Sequence, residues 1–65
     1  MKKYIGETIE LFPGDSQEKV GVVRDVFDDG IEVVITRLGD VPFKSNLKIG
    51  DVMYYPLSKL IFRLK

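Results

Sequence analysis

The chain has 65 residues, 45% apolar and 31% charged, with ten basic and ten acidic side chains and neither cysteine nor histidine. That length allows one domain with a thin core, and the composition excludes a disordered chain. Disulfides and the usual soft metal ligands are excluded as well, and a formal net charge of zero lacks the positive excess of a dedicated nucleic-acid binder.

The start, Met1-Lys2-Lys3, is basic like the opening of a signal peptide, but Gly6, Glu7 and Glu10 interrupt any apolar region behind it. No apolar run approaches the ~20 residues of a membrane span. The expectation is a cytoplasmic chain with no membrane partner.

Glu7 to Phe12 mixes apolar Ile9 and Leu11 with polar neighbours and reads as a strand. Phe12-Pro13-Gly14-Asp15 follows, with proline and glycine at the central positions of a type II turn. Lys19 to Phe27 holds Val20, Val22, Val23, Val26 and Phe27; Ile31 to Leu38 holds Ile31, Val33, Val34 and Ile35. Both read as strands, joined at Asp28-Asp29-Gly30 by a hairpin. A two-residue loop at Asp29-Gly30 pairs Asp28 with Ile31 and Arg24 with Ile35. A three-residue loop pairs Phe27 with Ile31 and Val23 with Ile35, with Gly30 left-handed. The second register gathers Val23, Phe27, Ile31, Val33 and Ile35 on one face; both keep Ile31, Val33 and Ile35 together as core.

Leu38-Gly39-Asp40-Val41-Pro42 breaks the chain, and Ile49-Gly50-Asp51 turns into a fourth strand, Asp51 to Tyr55. Tyr55-Pro56-Leu57-Ser58 is a further turn. In the last segment Leu57, Leu60, Ile61 and Leu64 fit helical spacing, whereas Leu60, Phe62 and Leu64 fit a strand. Its shortness, Ile61, Phe62 and the preceding Pro56 favour a strand over Leu60 to Leu64, entered through a 3₁₀ turn at Pro56 to Lys59. Residues 1–65 thus form a single all-β domain of five strands.

Val20-Gly21-Val22-Val23-Arg24-Asp25-Val26 followed by Asp29-Gly30-Ile31-Glu32-Val33 resembles the glycine-containing hairpin of KOW and related SH3-like domains. Leu47-Lys48-Ile49-Gly50-Asp51-Val52 looks like the turn-plus-strand entry of such barrels. Tyr55-Pro56-Leu57-Ser58-Lys59-Leu60 resembles the short turn into their closing strand. The resemblance covers residues 5–64 and implies a small five-stranded SH3-like barrel of bacterial or phage type. The tryptophan pattern of proline-rich-peptide binders is missing, since the chain has no tryptophan.

The usual bases and nucleophiles are lacking, and the six glycines stand singly rather than in a phosphate loop. Asp28 with Asp29, and Asp15 with Glu18, read as turn and loop carboxylates. No catalytic residue, metal ligand or cofactor is expected. Charge is divided along the chain: residues 1–42 carry five basic and nine acidic residues, and residues 43–65 five basic and one acidic. The candidate binding residues are Phe43, Lys44, Lys48, Tyr54, Tyr55, Lys59 and Arg63, because aromatics among cations stack bases, hold phosphates or anchor a protein. Attraction between the two halves of the chain is the plainer account of the same pattern. Tyr54 and Tyr55 are adjacent on a strand and face opposite ways. Val20, Val22, Val26, Val34 and Leu38 remain apolar beyond one core face, which points to packing under loops or a homodimer. The functional expectation is a non-enzymatic module that binds a protein partner as an accessory, adaptor or inhibitor; the alternative is a nucleic-acid-binding domain using the C-terminal basic and aromatic set.

Overall fold

The computed structural model describes residues 2–39 and 47–65. The expected break at Asp40-Val41-Pro42 lies outside them, as do the candidates Phe43 and Lys44. Five antiparallel strands, β1 (Thr8–Leu11), β2 (Lys19–Val26), β3 (Gly30–Leu38), β4 (Val52–Pro56) and β5 (Phe62–Leu64), form one sheet in the order β4-β3-β2-β1-β5. The chain is therefore all-β, and its last segment is a strand entered through a 3₁₀ turn, Leu57–Lys59. A second 3₁₀ turn, Lys2–Tyr4, precedes β1.

The five-stranded all-β expectation holds, but the sheet is open rather than closed into the expected barrel. β4 and β5 are its edges, and among the described residues no ladder joins them. A ring contact links the end of β1 to the edge strand β4 instead. The rings of Phe12, just beyond β1, and Tyr55 of β4 meet edge to face at 5.8 Å. The Phe12 N–H donates to the Ile61 carbonyl at 2.8 Å. Phe12 holds a left-handed backbone, φ 50°, uncommon for a bulky residue. The next three residues form the expected turn: Gly14 has φ 80°, and the Asp15 N–H donates to the Phe12 carbonyl.

Ile9, Leu11, Val23, Val26, Ile31, Val33 and Ile35 are buried on one face. Tyr4, Phe12, Leu38, Leu47, Met53, Tyr55, Leu57, Leu60 and Phe62 pack around that core. Burying such side chains gives roughly 1.5–3 kcal/mol each, the main favourable contribution in a chain without cross-links.

The hairpin adopts neither anticipated register. Val26 pairs with Ile31, and the Phe27 N–H donates to the Gly30 carbonyl, so Asp28 and Asp29 form the tip. Gly30 lies in β3 without a left-handed φ. The pairing slips between Val23 and Asp25, leaving Arg24 as a bulge. A bulge offsets the period-2 alternation, so Val23 and Val26, three residues apart, both face the core. Phe27 is thereby excluded from the core and stands 42% exposed. A second slip, between Val20 and Gly21, bulges β3 at Thr36. Gly21 packs where a Cβ would collide with the Val33 side chain and lie 2.8 Å from the Val34 carbonyl oxygen.

Candidate functional site

The outer face of the sheet follows from the pairing. Val22 is opposite Thr8 and Val34, and Val34 is opposite Val52, so Thr8, Val22, Val34 and Val52 make a row across four strands. Toward one end of this row, Glu10 pairs with Val20 and Arg63, and Val20 with Arg37. Toward the other end, Glu32 pairs with Asp25 and Tyr54. The apolar row is thus bordered by two charged rows of different character.

At the first border, Nε of Arg63 donates to a carboxylate oxygen of Glu10 at 3.0 Å, and an Nη of the same guanidinium lies 2.9 Å from that oxygen in an ion pair. This pair joins the acidic and basic halves of the chain directly. At the second border the aromatic groups gather. Tyr54 is 44% exposed, and its ring lies 6.3 Å from that of Phe27. Its phenol occupies the space a side chain on residue 30 would need. Hydrogen bonding to the Asp29 carboxylate, then burial and the charge of Asp29, raise the Tyr54 pKa above the usual phenol value.

Tyr55 faces the opposite way, as alternation requires. It is half-buried against Phe12, and its hydroxyl is enclosed without a hydrogen-bond partner among the described residues. Burial raises its pKa. Lys48 is exposed in the turn before β4, where its N–H donates to an Asp51 carboxylate oxygen at 2.9 Å. Lys59 is exposed at the end of the second 3₁₀ turn.

The sequence candidates are thus distributed rather than assembled. Tyr54 is on the outer face and Tyr55 on the inner one. Arg63 is bound to Glu10 on the edge strand at the far end of the sheet order from Tyr54. The groups beside the exposed tyrosine are Phe27, Glu32 and Asp29. Sequence reasoning passed over Phe27 because it assigned that residue to the core. It passed over Glu32 because a single acid between Ile31 and Val33 carries no signal of its own. Among the described residues, no group of three or more acidic side chains is arranged to hold a metal ion, and no helix is long and apolar enough to cross a membrane. Comparison with protein-family models, with curated proteins and with solved structures finds no match to this chain.

Proposed function

We propose that the chain is a non-catalytic SH3-like binding module whose target is another protein, acting as an accessory, adaptor or inhibitor. The SH3-like reading draws on the antiparallel five-strand order and on the 3₁₀ turn leading into the last strand. Binding through the outer face draws on one observation: Phe27 and Tyr54 are exposed side by side along the border of an apolar row. Exposed aromatics contribute large contact area at low entropic cost and anchor protein interfaces. Their neighbours favour protein over nucleic acid, since Glu32 and Asp29 repel phosphate where bases would stack.

The alternative, nucleic acid, draws on Lys48 and Lys59, which are exposed and make no ion pair among the described residues. The free edges of β4 and β5 and the exposed Val52 leave a second copy as a further partner.

An NMR titration of the labelled chain with short single- and double-stranded oligonucleotides, at low and raised salt, separates these readings. The protein-binding reading expects no shifts at low salt. It also expects a partner recovered from cell extract to bind the purified chain and to lose that binding on Tyr54→Ala. Salt-sensitive shifts centred on Lys48 and Lys59 would replace it with the nucleic-acid reading. A mass that rises with concentration would indicate self-association.

A further inference from the structure

The turn end of the β2–β3 hairpin carries charge that the fold does not neutralise. Asp25 and Glu32 are cross-strand partners, so two carboxylates occupy directly opposed positions. That arrangement costs a sheet stability. Asp28 and Asp29 follow at the exposed tip. None of the four is in an ion pair; the pair among the described residues is Glu10 with Arg63. Arg24, next to Asp25 in the chain, and Lys2, which shares a hollow with Asp28, make no bridge to them.

These acids border the exposed aromatic pair. Glu32 is the cross-strand neighbour of Tyr54, and the Asp29 carboxylate acts on its phenol closely enough to raise its pKa. Phe27 also lines a hollow of ≈ 330 Å³ with Lys2, Val26, Asp28 and Leu57. The surface therefore combines two ring faces, carboxylates that make no ion pair among the described residues, Asp25 accepting only from the Val26 N–H, and an adjoining recess.

We propose that this end of the sheet docks an arginine-bearing basic segment of the partner protein. The guanidinium lies on the rings of Phe27 and Tyr54, where cation–π attraction and planar stacking favour it. Its N–H groups donate to the carboxylates of Glu32 and Asp29. The opposed Asp25 and Glu32 gain the counter-charge that no described residue supplies in an ion pair, and the field of the four acids steers a basic segment inward. The hollow beside Phe27 receives an apolar side chain next to the arginine. This proposal rests on the protein-binding reading and adds the chemistry of the partner.

The test is an amide-shift titration of the ¹⁵N-labelled full chain with a short peptide alternating arginine and serine, and with its glutamate–serine counterpart, at low and raised salt. The arginine peptide alone is expected to move Asp25, Phe27, Asp28, Asp29, Glu32 and Tyr54, and salt should weaken the effect. Glu32→Gln and Asp29→Asn, both exchanges at the surface, should each weaken binding roughly two- to fivefold. No shifts, shifts scattered over the surface, shifts centred elsewhere, or affinity unchanged in both variants would overturn the proposal. A captured protein partner that binds these two variants as well as the original chain would leave the protein-binding reading standing while removing the basic segment. Absence of any protein partner would remove both.

Discussion

Gly30 has no room for a side chain because the Tyr54 phenol lies across it. A Cβ there would meet the Tyr54 hydroxyl and ring, and would approach the Tyr55 carbonyl oxygen to 2.6 Å. The glycine serves close packing between β3 and β4 rather than a left-handed turn.

Gly30→Ala should therefore destabilise the chain and displace Tyr54 from Phe27. Overpacking of this kind costs about 1–3 kcal/mol. A fall in the denaturant midpoint of that size, with altered ring shifts at Phe27 and Tyr54, is the expected result. An unchanged midpoint would mean that the Tyr54 side chain and the Tyr55 carbonyl both give way without cost.

The same residue marks the limit of what was legible in the sequence. The turn signal at Asp28-Asp29-Gly30 located the hairpin, and alternation identified Ile31, Val33 and Ile35 as core, because these depend on local spacing. The register did not follow, because Gly30 answers to a tyrosine 24 positions further along the chain. Phe27 was misassigned for a related reason. The bulge at Arg24 reverses the alternation behind it, and no residue type announces that slip. For the candidate site, alternation separated Tyr54 from Tyr55 correctly. The basic residues around them were read by proximity in sequence, whereas cross-strand pairing placed Glu32 beside Tyr54 and Glu10 beside Arg63, and the hairpin tip brought Asp29 near Tyr54.

The Glu10–Arg63 pair should contribute little to stability. The Arg63 side chain is 65% exposed, and exposed pairs give about 0.2–1 kcal/mol. A double-mutant cycle with Glu10→Gln and Arg63→Gln should return a coupling in that range that shrinks in high salt. Arg63→Gln should also leave binding of the arginine peptide intact, since it lies on the other charged border. A coupling well above 1 kcal/mol would mean that the pair clamps β5 to the sheet.

Tyr55→Phe should raise stability or leave it unchanged, and should flatten its alkaline decline. The enclosed hydroxyl has no partner among the described residues, and leaving a buried polar group unsatisfied costs about 1–3 kcal/mol. Burial raises the Tyr55 pKa in the folded chain, and the Asp29 hydrogen bond chiefly raises that of Tyr54. The unfolded chain loses a phenol proton first, so this part of the stability is full below the ordinary phenol pKa of about 10 and is lost as pH rises through the folded values. Melting temperatures between neutral pH and about 11 should fall less steeply for Tyr55→Phe than for the original chain. Equal slopes would show that the Tyr55 phenol ionises as readily folded as unfolded.

Glu32→Gln should stabilise the chain while weakening its binding of the arginine peptide. Glutamine keeps the length and outer-face position of the side chain but removes one of two charges opposed across β2 and β3. Relief of such a contact is worth roughly 0.2–1 kcal/mol, within reach of a denaturant midpoint measured on the titrated sample. The two effects have opposite signs for one physical reason: a carboxylate facing Asp25 is unfavourable until a cation arrives. Opposed charges kept at a cost to the isolated fold are the trade expected of a binding surface. Loss of both stability and binding would instead assign Glu32 a structural role in the sheet. A gain in stability with binding unchanged would place the partner elsewhere on the molecule.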